Sequence, residues 1–147
     1  MDVPINYLAI LACGVVSMVL GFLWLGPLFG KLWMSLSGMP ADAMERAKND
    51  PAMKRKMYQG YGIQFVASLV MAYVLAHMLT VIAAFDFGPS GLEAGISAGF
   101  WSWLGFVAPP TLGMVLWEGK PWKLWVLINA YWLILLLIMG SILAFWP

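Results

Sequence analysis

The sequence predicts an all-α integral membrane protein: a bundle of four transmembrane helices, with both termini outside and a partly helical amphipathic loop on the cytoplasmic side. Three observations predict it. Of 147 residues, 63% are hydrophobic and 10% charged, whereas a soluble domain is nearer ~25% charged. Four apolar stretches approach or exceed the ~20 residues that a helix needs to cross a ~30 Å hydrocarbon core. All eight lysines and arginines fall on one side of the resulting arrangement, as the enrichment of cytoplasmic loops in these residues requires.

The first span is expected over about 5–25. It contains no charged residue; Pro4 suits a first helical turn, and Gly26-Pro27 stops the pattern. It lacks the basic leader segment of a signal peptide, so it is read as a membrane span. The loop 26–60 follows. Good helix formers run from Pro40 to Lys48, and Asp50-Pro51 pairs an N-cap with proline at the first helical position, opening a helix that continues into the second span, about 61–84. The turn-forming Asp86-Phe87-Gly88-Pro89-Ser90-Gly91 leads to the third span, about 92–117, which carries Pro109-Pro110. The fourth runs from about 122 to 146. At this length the whole chain, 1–147, is one membrane domain.

Orientation rests on the cations. Lys31, Arg46, Lys48, Lys54, Arg55 and Lys56 lie between the first and second spans, and Lys120 and Lys123 between the third and fourth. A three-span or five-span arrangement breaks this segregation. Trp24, Trp33, Tyr58, Tyr61, Trp117 and Trp122 fall at inner boundaries, and Tyr7 and Trp146 at outer ones, which is where aromatic belts sit. A net charge of +1 argues against a nucleic-acid partner. The single cysteine, Cys13, excludes an intrachain disulfide and reads as a small packing residue.

In lipid, helices associate through small residues that let backbones approach. Gly91, Gly95 and Gly99 recur every four residues in the third span, and Ala9, Cys13, Ser17 and Gly21 do so in the first. These stripes are expected to hold the bundle together, or to serve self-association into a homo-oligomer. Pro109-Pro110 removes the amides that would bond the carbonyls of Gly105 and Phe106, so partners are sought in the same inner half. Gln64, Asn129, Thr111 and the Trp24 indole are there. Together these residues outline a pocket for a small polar ligand, a cation or a lipid headgroup; alternatively they satisfy one another around a kink. Lys54, Arg55 and Lys56 are placed at the headgroups of membrane lipids.

An ionisable residue inside a membrane is a candidate functional group. His77 admits a structural hydrogen bond, proton handling with Glu93, or metal or haem ligation; a lone histidine cannot supply both axial nitrogens of a membrane b-type haem. Glu93 also suits the start of a helix, where the dipole favours a carboxylate. The chain has no His-Glu-x-x-His, phosphate loop or GxGxxG. No catalytic residue, metal site or cofactor is therefore assigned.

The run from Gly21 to Trp33, Gly-Phe-Leu-Trp-Leu-Gly-Pro-Leu-Phe-Gly-Lys-Leu-Trp, resembles the Gly-x-x-Trp-(aromatic)-x-Pro-Leu-x-Phe-Gly-Lys-x-Trp pattern of the bacterial membrane proteins grouped as domain of unknown function 1761. Further similarity lies in Phe65–Ala72, Trp103–Pro109, Glu118–Pro121 and Asn129–Tyr131. Leu25 stands where that family often has tyrosine, which removes a hydroxyl from this spot. The resemblance implies the four-span fold and a bacterial cytoplasmic membrane, and it supplies no catalytic residues. The function expected first is a non-enzymatic homo-oligomer that binds or passes a small solute or lipid. Its rivals are an accessory subunit of a membrane complex and a membrane enzyme acting on a lipid or quinone through His77 and Glu93.

Overall fold

A computed structural model describes residues 5–84 and 88–146. Among them every regular element is helical. Helix α1 (Tyr7–Leu23) is opened by Asn6, whose side-chain oxygen accepts from the amides of Leu8 and Ala9 at 3.0 and 3.2 Å. This satisfies donors that have no intrahelical acceptor. The expected stop at Gly26-Pro27 is instead a wide π-helical turn, Trp24–Leu28, closed by the Phe29 amide on the Trp24 carbonyl at 2.9 Å. The extra residue per turn absorbs a proline that an ordinary α-helix would not accept without a break.

The loop 26–60 is more helical than its composition suggested. Helix α2 (Gly30–Ser37) ends on Gly38 at φ 75°, a left-handed cap that glycine adopts without a Cβ penalty. Helix α3 (Ala43–Asn49) ends at Asp50. Helix α4 (Pro51–Ala84) starts with proline at its first position, and Asp50 Oδ1 accepts the Ala52 amide at 2.9 Å, as expected. Its 34 residues extend about 50 Å, well beyond a ~30 Å hydrocarbon core. Pro4 and Asp86-Phe87 lie outside the described residues.

The third apolar stretch is not one helix. Helix α5 (Gly91–Ser102) runs into a second wide turn, Trp103–Val107, followed by two short helices, α6 (Ala108–Thr111) and α7 (Gly113–Leu116). The two prolines occupy the first turn of α6, where a helix has no intrahelical use for amide donors. Helix α8 (Trp122–Phe145) completes the chain.

Helix α8 is the centre of the assembly, with α1, α4 and α5 all packed on it and α5 in the most extensive contact. Leu135, Leu136, Met139 and Leu143 of α8 meet Ala9, Ile10 and Cys13 of α1, Ala72 and Leu75 of α4, and Ala98 of α5 in one core. Three helical stretches are long and apolar enough to cross a membrane: Tyr7–Leu28, Pro51–Ala84 and Trp122–Phe145. Around the core, large apolar side chains such as Phe22, Ile63, Val66, Val70 and Phe106 face outward, an exterior that water does not suit.

Candidate functional site

Most polar groups of the interior pair with one another or with nearby carbonyls. Asn129 on α8 is 2% exposed. Its amide donates to the Thr111 hydroxyl at 2.9 Å and to the Trp125 carbonyl at 3.1 Å. The Trp125 indole also donates to the Thr111 hydroxyl, at 3.1 Å. The one proton of Thr111 then has the carbonyls of Val107 and Ala108 at 2.8 and 3.0 Å. Thr111 thus accepts two bonds and donates one, the full capacity of a hydroxyl. It serves the carbonyls of Val107 and Ala108 in the turn before it, not those of Gly105 and Phe106.

This cluster is smaller than the expected pocket. Thr111 and Asn129 come together, but the Trp24 indole reaches α8 at the Leu127 carbonyl, 3.2 Å away, rather than at Asn129. Gln64, Gly105, Phe106, Pro109 and Pro110 are exposed on the outer surface, which corrects their placement in an inner site. For Pro109 and Pro110 the cause is the wide turn: one inserted residue rotates everything after it by about 100° around the helix axis. At that turn Ser102 Oγ and Trp103 Nε1 are closed off and make no hydrogen bond.

The small-residue stripes act within the chain. Gly95 meets Gly140 of α8 backbone to backbone, and Gly99 meets the Leu136 carbonyl. A Cβ at either glycine would collide with that backbone. Gly91, at φ 58° in open space, belongs to the entry of α5 and not to the seam. On α1, Ala9 and Cys13 are fully buried, and Cys13 Sγ lies 3.8 Å from the Met139 carbonyl. The hydroxyls of Ser17 and Ser68 of α4 are 2.7 Å apart, and Ser68 also lies 2.9 Å from the Gln64 carbonyl. Gly21 makes room for Tyr131, whose hydroxyl donates to the Ser17 carbonyl at 3.4 Å. Sequence reasoning missed Gly140, Ser68, Trp125 and Tyr131. Ser68 had a legible signal, as a lone serine in an apolar stretch, and so had Gly140, which stands four residues before Ala144.

His77 is half-buried, with Nδ1 2.9 Å from the Tyr73 carbonyl one turn earlier and its ring 4.3 Å from that of Tyr73. Glu93 is exposed in the first turn of α5, and no hydrogen bond or ion pair joins it to His77. Among the described residues no three histidine, cysteine, aspartate or glutamate side chains form a metal-binding group.

The polar end of α4 is different in kind. Pro51, Lys54, Arg55, Tyr58 and Gln59 line a shallow trough, and Gly62, Ile63, Val66 and Ala67 line a second, apolar one just beyond it. Lys56 is exposed but outside both. The described ion pair of the chain, Arg46 with Asp42 at 2.7 Å, lies elsewhere and leaves Lys54 and Arg55 without a carboxylate. Lys120 instead ties the two basic loops together, its Nζ donating to the Ser37 carbonyl at the end of α2 at 3.2 Å.

An all-helical chain with three helices long enough to cross a membrane and a greasy exterior defines a membrane-protein class. Within that class, a family model described as protein of unknown function (DUF1761) matches residues 8–144, nearly the whole chain, and the protein belongs to that family. No curated protein and no solved structure matches it.

Proposed function

We propose that the chain crosses the cytoplasmic membrane four times, with its basic loops inside, and that it is a lipid-binding protein working through its outer surface rather than through an internal path. The observation that carries this reading is the state of the interior. Asn129, Thr111, Trp125, Ser17, Ser68 and Trp24 spend their hydrogen-bonding capacity on one another or on nearby carbonyls, so the core holds the fold. The fourth crossing is the broken stretch α5–α7. Its loss of regular hydrogen bonds is compatible with hydrocarbon because the breaks are bridged by a wide turn and by Thr111. Helix α4 is the least covered of the long helices, with 17% of its apolar stretch buried against 33% for α1 and 39% for α8. It therefore offers the surface at which lipid contacts the protein most.

Two measurements test the reading. In a Cys13→Ala background, Lys48→Cys and Glu118→Cys should react with an impermeant thiol reagent only from the cytoplasmic side, and Ser90→Cys and Trp146→Cys only from the other. Labelling of Lys48→Cys and Glu118→Cys from opposite sides would overturn the four-crossing arrangement. Native mass spectrometry of the purified protein should show phospholipid adducts that survive detergent exchange. A wild-type protein that emerges free of lipid rules out the lipid-binding assignment.

A further inference from the structure

The two troughs on α4 form one surface. Pro51, Lys54, Arg55, Tyr58, Gln59, Gly62, Ile63, Val66 and Ala67 follow the spacing of three and four residues that keeps side chains adjacent on a helix. Farther along the same helix Ser68, Ala72 and Leu75 are buried on the side opposite Gly62, Ile63, Val66 and Ala67. The apolar part of the surface therefore looks away from the bundle, and the cationic part lies on a stretch that is exposed. Its chemistry changes once along its length, from two cations, a phenol and an amide to a strip without charge. The break falls at Gly62, which has open space around the position of a side chain and so leaves the strip hollow.

The geometry points to a binding site for one anionic phospholipid of the inner leaflet, its phosphate between Lys54 and Arg55 and an acyl chain along Gly62, Ile63, Val66 and Ala67. This inference rests on the lipid-binding reading above and gives it a place and a headgroup class. Lys54 and Arg55 have no carboxylate partner in the described chain, so an incoming phosphate displaces no ion pair. Arg55 offers a fork that matches two phosphate oxygens, and Tyr58, about one turn further along the same trough, adds a hydroxyl. From Arg55 to Ala67 the helix rises about 18 Å, against about 20–22 Å for one leaflet with its headgroups. The surface is thus nearly as long as one leaflet of lipid. A second copy of this chain would bring Lys54 and Arg55 against the same cations in a parallel, symmetric pairing, which like charge disfavours.

The test uses the full-length protein in nanodiscs of mixed phosphatidylglycerol and phosphatidylcholine, with retained lipid counted by native mass spectrometry. Wild type should retain phosphatidylglycerol over phosphatidylcholine by roughly tenfold or more, because two cations act on one headgroup. The double variant Lys54→Gln/Arg55→Gln should bring that ratio near unity while leaving some lipid bound. Gly62→Leu, which fills the hollow on an outward face, should lower retention of both lipids. Lys56→Gln removes a neighbouring cation outside the trough and should retain the wild-type ratio. Excess inorganic phosphate should not displace the lipid, since the acyl strip contributes to holding it.

Loss of preference in Lys56→Gln equal to that in the double variant would show a diffuse basic surface and overturn the site. So would displacement by phosphate alone, or a change of oligomeric state in Gly62→Leu, which would assign the hollow to a second copy. Lipid retained by wild type and unchanged in every variant overturns this site while sparing the lipid-binding assignment. Absence of lipid from wild type sinks both.

Discussion

The seam between α5 and α8 and the outward face of α4 are both built around glycine, and glycine does opposite things in the two places. At the seam, Gly95 and Gly140 let two backbones touch, and Gly99 does the same against Leu136. On α4, Gly62 touches nothing and leaves a hollow in an otherwise apolar surface. The seam gains from packing, because lipid tails are as apolar as side chains and helices adhere only where they fit closely. The α4 face gains nothing from its own chain. What separates a structural glycine from one that shapes a surface is therefore the neighbour across from it.

The sharpest way to break this comparison is to place the same side chain at both sites. Gly95→Leu should destabilise the bundle by about 3 kcal/mol or more, since the added atoms meet the Gly140 backbone, which cannot swing aside. Gly62→Leu should stay within about 0.5 kcal/mol of wild type. Thermal unfolding in one detergent checks both, and equal losses would mean that the α4 face is packed after all. Next in size is Asn129→Leu, expected to cost about 1–2 kcal/mol because the Thr111 hydroxyl and the break it serves lose a donor. A Leu variant as stable as wild type would show that the cluster is dispensable to the fold.

Smaller effects sharpen the comparison on the other helices. Ser17→Ala and Ser68→Ala, combined in a double-mutant cycle, should show a coupling of about 0.6 kcal/mol, the usual worth of such a bond between membrane helices. A coupling of zero would place the α1–α4 contact on packing alone. Ser102→Ala should be neutral or stabilising by a few tenths of a kcal/mol, roughly, because the hydroxyl it removes has no partner. A clear loss of stability there would reveal a hydrogen bond that the fold hides. His77→Leu is expected to leave unfolding within about 0.5 kcal/mol of wild type, since Nδ1 bonds only its own helix.

Much of the local structure is legible in the chain. Asp50-Pro51 announces the start of α4, and Asn129 and Thr111 can be paired as polar groups near a proline break. The small residues Ala9, Cys13, Ser17, Gly95 and Gly99 stand at helix contacts as their spacing suggests. Gln64, Gly105, Phe106, Pro109 and Pro110 are exposed and stand outside the cluster; for Pro109 and Pro110 the reason is a wide turn, which changes the register of a helix without leaving a mark in hydropathy. The two-part surface on α4 was read from the sequence only as the cations Lys54, Arg55 and Lys56, of which Lys54 and Arg55 line the trough and Lys56 does not.

The sequence by itself determined that the chain is helical and apolar enough for a membrane, where several helices begin, and which residues are small enough to pack. Tertiary structure alone decided which side of each helix faces the core. In water, a helix writes that choice into its pattern of polar and apolar residues. Here both sides are apolar, so the choice is made by fit, at Gly95 against Gly140, and by the few hydrogen bonds that join Ser17 to Ser68 and Thr111 to Asn129.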